Sequence, residues 1–294
     1  MRTWRGVRIT CVGALLLLVA ACAREGGNSA GDGPGGSGGD PLPADPDRVV
    51  LRVEHVGGFV APAARLVRVP VVTVYADGRV ITEGPQIEIY PPPALPNLQQ
   101  QEIPVEAIDG LIERAMAAGV DSAADLGRPN VADLPSTRFT VSTAGGTDVL
   151  EVYALAEEGP GLTEAQRAAR AELQDLLGAL TDLSGTLGPE EVGDARPYQP
   201  EAVAAVAMPW RPDESGVAAP PEITWPGPAL PGQPPSAGFD VGCLEVRGAE
   251  ATELLALASK ANALTPWKSG EQRWNVSLRP LLPDESGCAD LADN

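Results

Sequence analysis

The sequence predicts an α+β protein whose mixed or antiparallel sheets are built from hairpins and accompanied by three helices. Two observations lead to this fold class. Short segments with apolar side chains at every second position recur on either side of glycine-containing turns, as in β-hairpins. Two longer segments carry apolar side chains at the i, i+3, i+4 spacing of a buried helix face, and a third helix is expected in the second half of the chain.

The strands of the first half are predicted from alternation and turn residues. Residues 49–55 alternate apolar and polar side chains, which is typical of a half-buried strand. Asp77-Gly78 and Gly145-Gly146 each separate two such segments, and both pairs accept the positive φ angles of tight turns. The predicted strands of this half cover residues 49–55, 71–75, 79–82, 86–90, 137–143 and 148–154.

Two helices are predicted in the same half. Pro104 suits the first helical turn, so a helix is expected over residues 104–118. Thr163 and Gln166 match a capping box and open a second helix over residues 163–184, whose alanine and leucine positions step by four and three. We interpret both apolar stripes as core faces and not as cofactor sites.

A change in composition near residues 188–200 predicts a boundary, because the last four tryptophans all follow it. Residues 209–235 contain nine prolines and are expected to form an irregular, extended surface segment. The pentapeptide Pro-Asp-Glu-Ser-Gly occurs twice and predicts two turns. The predicted parts are an N-terminal α+β subdomain, 48–187, and a C-terminal α+β subdomain, 188–294, with strands at 201–208, 240–246 and 272–279 and a helix at 249–261.

Charge and composition exclude several classes of protein. The 294 residues have a formal net charge of −19, which argues against a nucleic-acid partner because phosphate binding requires a basic surface. The 33 glycines lack the three-residue period of collagen. A hydrophobic content of 44% is too high for a chain that is disordered throughout.

The N-terminus has the features of a signal peptide. Three arginines precede an apolar run over residues 9–21, which is too short to cross the roughly 30 Å hydrocarbon core of a bilayer. The run ends in Val-Ala-Ala-Cys, which resembles the lipobox of bacterial lipoproteins. That resemblance implies cleavage after residue 21, acylation of Cys22 and a lipid anchor on the extracytoplasmic side of the cell membrane. The alternative is an ordinary cleaved signal in which Cys22 is incidental.

A flexible tether is predicted to follow over residues 22–47. Its last 23 positions contain eight glycines and four prolines and offer no apolar surface for a core. A chain of about 25 flexible bonds has an r.m.s. reach of roughly 25–30 Å. Removal of residues 1–21 deletes three arginines and no acid, so the net charge changes from −19 to −22. Anionic lipid headgroups repel such a surface, and the lipid must therefore supply the anchoring.

The remaining cysteines predict a disulfide. Cys243 and Cys288 are an even pair in a chain that is expected to be exported. The alternative is a two-thiol metal or redox site. No Cys-x-x-Cys spacing occurs, and His55 is the sole histidine, so a zinc site would lack ligands.

Motifs of known chemistry are absent from the predicted strands and helices. Gly-x-Ser-x-Gly occurs only in the glycine-rich tether, at residues 27–31 and 35–39, where no strand-to-helix turn is expected. The sequence contains no P-loop, no dinucleotide-binding pattern after a strand and no His-Glu-x-x-His pattern. His55 lies on a predicted strand without a nucleophile at a recognised spacing, and we interpret it as a surface or capping side chain. We therefore predict no catalytic residue, no metal site and no cofactor.

Three tryptophans are candidate ligand-stacking residues. Trp210, Trp225 and Trp267 lie in or near the proline-rich segment and could stack on sugar rings or hold a proline-rich peptide. The alternative is that they pack beneath this irregular segment.

The first functional hypothesis is a non-enzymatic binding or interaction module of the cell envelope, with an envelope protein or a glycan as partner. A cell-surface glycan hydrolase that uses Asp and Glu carboxylates is the alternative. A secreted inhibitor or sensor domain is a third hypothesis, for which no sequence feature speaks. The composition as a whole resembles that of Ala-, Gly-, Pro- and Arg-rich bacterial lipoproteins, and this likeness implies a role for no residue other than Cys22.

Overall fold

Strands and helices both contribute to the structure, in agreement with the α+β class predicted from the sequence. The computed structural model describes residues 45–235 and 241–293. The predicted signal peptide and most of the predicted tether lie outside the described residues. Pro43–Asn294 form one compact unit. The division into subdomains at residue 188 stays a prediction.

The first sheet has seven strands, and every neighbouring pair in it is antiparallel. Asp77 and Gly78 form one of its turns. Gly78 has a φ of +90°, and a Cβ there would lie 2.3 Å from the carbonyl oxygen of Ile103, so the turn requires glycine. The strands are β1 (Val49–Val56), β2 (Val72–Tyr75), β3 (Arg79–Glu83), β4 (Leu98–Glu102), β5 (Ser136–Thr143), β6 (Gly146–Tyr153) and β7 (Arg196–Pro197), in the order β6-β5-β1-β2-β3-β4-β7.

Two helices share a hydrophobic core with this sheet. They are α2 (Val105–Ala117) and α3 (Glu164–Thr181), and the short helix α1 (Pro62–Leu66) precedes them in the chain. The Thr163 side chain accepts a hydrogen bond from the Gln166 backbone, and the Gln166 side chain accepts one from the Thr163 backbone, so the expected capping box is present. Most buried side chains of this core come from β1, β2, β3, β5 and β6 and from both helices, and Leu183, which follows α3, also belongs to it.

The second sheet has five strands and is mixed, because β9 and β11 are parallel whereas the other pairs are antiparallel. Helix α4 (Leu183–Leu187) precedes it in the chain, and α5 (Gly248–Ala258) shares its main core. The strands are β8 (Ala202–Pro209), β9 (Ile223–Thr224), β10 (Gly242–Arg247), β11 (Pro266–Ser269) and β12 (Gln272–Pro280), in the order β10-β8-β12-β11-β9.

Polar contacts link the segment after β12 to the first sheet. Both Asp284 carboxylate oxygens lie 2.8 Å from Nη2 of Arg52 on β1, and Oδ1 also accepts a 2.7 Å hydrogen bond from the Tyr75 hydroxyl on β2. Burial and the neighbouring Asp284 carboxylate raise the pKa of Tyr75 above its ordinary value. The Tyr198 hydroxyl donates to the carbonyl oxygen of Leu281 at 2.8 Å. The C-terminal segment therefore joins the two sheets.

The expectation of a strand over residues 86–90 is wrong. This segment makes no ladder within the described residues, and Ile87 and Ile89 are exposed. The strand after β3 is instead β4, whose sequence Leu-Gln-Gln-Gln-Glu lacks the apolar alternation that predicts strands. Within the described residues there are five α-helices in place of the three expected, because α1 and α4 have only five residues each and leave no periodic pattern.

Candidate functional site

The predicted disulfide is present. The sulfur atoms of Cys243 and Cys288 are 2.03 Å apart, and both residues are buried in a cluster with Ala63 and Leu66 of α1. The bond joins β10 to the C-terminal segment. Cys22 lies outside the described residues, so its acylation stays a prediction.

Two of the three candidate stacking tryptophans are core residues, which corrects that expectation. Trp267 on β11 is 0% exposed and Trp225 is 6% exposed, and their rings meet edge to face with centroids 5.6 Å apart. The Trp225 indole N–H donates to the carbonyl oxygen of Pro228 at 2.7 Å. Neither ring offers a face to a ligand. Leu230, also from the proline-rich segment, is buried as well, so this segment contributes to the core of the second sheet.

Trp210 is the candidate that keeps an accessible ring. It follows the last residue of β8, and its backbone N–H donates to the carbonyl oxygen of Arg273 on β12 at 3.1 Å. The Arg273 guanidinium carbon lies 5.3 Å from the centroid of the indole ring, within the range of a cation–π contact. The half-buried Trp210 lines a cavity of about 360 Å³. We call this cavity the Trp210 cleft; its walls are Trp210, Arg211, Pro212, Asp213, Glu214, Ala219, Leu264 and Asn275.

Asp213 is held in one orientation in the wall of this cleft. Its Oδ2 accepts a 2.7 Å hydrogen bond from the Tyr90 hydroxyl, and its Oδ1 accepts from the backbone N–H of Ser215 at 2.9 Å and from the Ser215 hydroxyl. The Ser215 hydroxyl and then the Tyr90 hydroxyl lower the pKa of Asp213, because both stabilise the ionised carboxylate. Asp213 therefore stays ionised as the pH falls into the ordinary range of an aspartic acid.

Asn275 is also fixed in this wall. It lies on β12, and its Oδ1 accepts a 3.0 Å hydrogen bond from the backbone N–H of Arg211. This contact identifies the oxygen of the side-chain amide. Nδ2 of Asn275 makes no hydrogen bond to the residues that the structure describes. The cleft wall therefore contains an amide donor that is not paired with an acceptor of the described residues. It also contains carboxylate acceptors and an indole ring.

A loop from the first sheet reaches this region. Residues 84–97 connect β3 to β4, and Ala94 N–H donates to the carbonyl oxygen of Ala261 at 3.2 Å. Ala263 N–H donates to the carbonyl oxygen of Pro92 at 2.9 Å. These contacts hold Tyr90 where its hydroxyl meets Asp213. The expectation of a strand over residues 86–90 missed this role, since these residues form no ladder and the loop pairs only through an isolated antiparallel bridge between Pro93 and Asn262, which lies between α5 and β11.

Sequence reasoning missed Tyr90, Asp213 and Asn275 as members of a site. The repeated pentapeptide was the one usable signal. Both copies form turns, and the aspartates at their second positions, Asp213 and Asp284, each accept a 2.7 Å hydrogen bond from a tyrosine hydroxyl. Tyr75, the partner of Asp284, is buried in the fold, whereas Tyr90 is exposed. The same pentapeptide therefore contributes to the core in one copy and to the cleft wall in the other, although its turn lies at residues 214–215 in the first copy and at residues 283–284 in the second.

The other polar side chains considered for a site, His55 and Arg170, have contacts typical of residues that stabilise the fold. His55 on β1 is half-buried, and burial followed by the nearby Arg68 lowers its pKa, so it is neutral at pH 7. Arg170 on α3 is buried and donates to the carbonyl oxygens of Tyr153 and Ala154 at the end of β6. No group of three or more His, Cys, Asp or Glu side chains in the described residues is placed to hold a metal ion.

None of the helices in the described part of the chain has both the length and the hydrophobicity needed to span a membrane. Comparisons of the chain with protein-family models, with curated proteins and with solved structures give no significant match. The observations that point to a function are therefore the geometry of the Trp210 cleft and the N-terminal sequence.

Proposed function

We propose that this chain is a lipid-anchored, extracytoplasmic binding module of the bacterial cell envelope. The anchor would be an acylated Cys22, and the flexible segment over residues 22–47 would hold the α+β body close to the membrane. Two or more acyl chains make such anchoring durable, whereas one chain binds reversibly. The mature net charge of −22, from −19 after loss of three arginines, disfavours direct contact of the protein surface with anionic lipids.

The Trp210 cleft is the observation that carries the binding role. Its volume of about 360 Å³ falls in the range of small-molecule sites. Its wall combines an accessible aromatic ring, a carboxylate fixed by two side-chain donors and an amide with an unused donor. Such convergent polar groups beside an aromatic ring favour recognition of a ligand over packing alone.

Acylation of Cys22 provides the test of the anchor. Cells that express the full chain are fed an alkyne-labelled fatty acid, and the protein is then captured and imaged. We expect label on the wild type and on Cys11→Ala, and none on Cys22→Ala. Cys11→Ala is a matched control because Cys11 lies in the same apolar run but outside the lipobox. Label on Cys22→Ala, or no label on the wild type, would contradict the proposal.

A glycan hydrolase is the second candidate, since Asp213 and Glu214 both line the cleft beside Trp210. A hydrolase needs one carboxyl group as acid and a second as base or nucleophile. The lowered pKa of Asp213 suits a base or nucleophile and not an acid. Incubation of the full chain with purified cell-wall glycan distinguishes the two candidates. A binding module releases no reducing ends. If the wild type releases reducing ends and Asp213→Asn does not, the result favours the hydrolase.

A further inference from the structure

We propose that the Trp210 cleft binds an uncharged sugar ring, such as a neutral hexose or N-acetylhexosamine unit. This inference depends on the proposed function in one respect, namely that the sugar belongs to a polysaccharide of the cell envelope. Three properties of the cleft carry it, namely an accessible indole, a matched set of hydrogen-bond donors and acceptors, and an excess of negative charge.

The indole provides the apolar contact. A pyranose ring has a face of C–H groups that packs against an aromatic ring, while its hydroxyls point to the sides. Trp210 lines the cleft, and Arg273 holds its ring in place from β12. Arg273 in turn pairs with Glu222 at the surface, with Nε of the arginine 3.4 Å from Oε2 of the glutamate. The contact with Arg273 restricts the Trp210 ring before a ligand arrives, which reduces the entropy lost on binding.

Donors and acceptors in the cleft match sugar hydroxyls, each of which can both donate and accept. An ionised carboxylate offers about four acceptor positions, and three donors from Tyr90 and Ser215 occupy part of this capacity on Asp213. Asp213 therefore retains room for a hydroxyl. Asn275 keeps Nδ2 as a donor because its Oδ1 is used by Arg211.

Charge selects against anionic ligands. The cleft is lined by two carboxylates, Asp213 and Glu214, and by one cation, Arg211. Arg273 lies outside this lining and pairs with Glu222, which is also 4.0 Å from Nζ of Lys268, so the charge of Arg273 is offset only in part. The chain as a whole carries a charge of −19. A uronic acid or a phosphorylated sugar would be repelled at short range, whereas an uncharged ring would not.

The experiment measures binding of defined oligosaccharides to the full chain by isothermal titration calorimetry and tryptophan fluorescence. The chain is purified in a detergent without a sugar headgroup, because a glycosidic detergent would compete for the cleft. The probes are an N-acetylglucosamine trimer, a cellotriose and a trigalacturonate of similar size. We expect millimolar or tighter binding of at least one uncharged trimer and at least tenfold weaker binding of the trigalacturonate.

Variants assign the binding to the cleft. We expect Trp210→Ala to reduce the affinity for the uncharged trimer by about 30-fold, as for a central aromatic anchor. We expect Asn275→Ala to reduce this affinity by about tenfold. Trp210→Phe should retain part of the affinity, which separates loss of the ring from loss of folding. Asp109→Asn is the matched control. It removes a carboxylate from a separate cavity of about 450 Å³ beside Arg48 and should leave the affinity unchanged.

Four results would overturn the inference. The first is that neither uncharged trimer binds at millimolar concentration, and the second is that the trigalacturonate binds as tightly as the uncharged trimers. The third is that Trp210→Ala and Asn275→Ala keep the wild-type affinity. The fourth is that a proline-rich peptide binds in a Trp210-dependent manner while no sugar binds. Each of these would leave fatty-acid labelling of Cys22 unaffected. Failure of the sugar assignment is therefore distinguishable from failure of the anchor proposal.

Discussion

Replacing Glu285 with alanine is expected to destabilise the fold by about 3–5 kcal/mol, the range for loss of one partner of a buried ion pair. Oε1 of Glu285 accepts a 2.7 Å hydrogen bond from Nη2 of Arg279, and Oε2 accepts from the backbone N–H of Leu282 at 2.7 Å. The side chains are 0% exposed for Arg279 and 6% exposed for Glu285. Removal of the carboxylate leaves a buried guanidinium without its counter-charge and a backbone donor without its acceptor.

The cause of this effect is desolvation. Burial lowers the pKa of Arg279, and the Glu285 carboxylate opposes that effect by stabilising the charged form. Arg279 also donates to the carbonyl oxygen of Arg68 at 3.0 Å, so the pair links β12 to the segment before β2. The loss of Glu285 therefore acts at the junction of the two sheets and not at one surface site.

Chemical denaturation measures the change in the free energy of unfolding. The matched control is Glu102→Ala, which breaks an ion pair with Arg196 in which both side chains are 60% exposed. Such surface pairs contribute about 0–1 kcal/mol. Equal losses in Glu285→Ala and Glu102→Ala would contradict the prediction. The double variant Arg279→Met/Glu285→Leu should be more stable than Glu285→Ala, because it removes the charge that the single variant leaves buried.

Removal of the disulfide is expected to cost about 4 kcal/mol and to lower Tm by about 10 °C. The bond joins positions 45 residues apart, and closing a loop of that length reduces the conformational entropy of the unfolded chain. Cys288 also has a contact that does not depend on the disulfide, since its backbone N–H donates to Oε1 of Glu245 at 2.7 Å. The native geometry therefore persists in part when the sulfur atoms are not joined.

The measurement compares the wild type with Cys243→Ser/Cys288→Ser, each with and without a reductant. The reductant should lower the Tm of the wild type to that of the double variant and leave the variant unchanged. This internal control separates loss of the bond from other effects of the reductant. Free thiols mapped by alkylation to Cys243 and Cys288 of the wild type, or a Tm that does not respond to reduction, would refute the pairing.

Several elements could be predicted because their signals are local. The hairpin at Asp77-Gly78 follows from alternation and from a turn that only glycine fits. The start of α3 follows from the capping box at Thr163, in which both partners lie within four residues of each other. The Cys243–Cys288 bond followed from the even number of cysteines left in a chain predicted to be exported.

Other features could not be predicted because they depend on contacts between distant segments. Residues 86–90 satisfy the alternation of a strand, but no strand of the described chain lies alongside them, and β4 forms from a polar sequence instead. The burial of Trp225 and Trp267 is another example. A tryptophan has the same local signature in a core as on a surface, and the fold alone decides which of the two it occupies.

The sequence by itself determined the fold class, the hairpins, the longer helices and the disulfide pair, because periodicity, turn chemistry and cysteine number act at short range or by elimination. It also yielded the predictions of a lipid anchor and a tether. The tertiary structure decided which tryptophan is accessible, which aspartate meets a tyrosine at the cleft, and which arginine is buried against a glutamate. These outcomes depend on which distant segments of the chain pack against one another, and no local pattern in the chain encodes that.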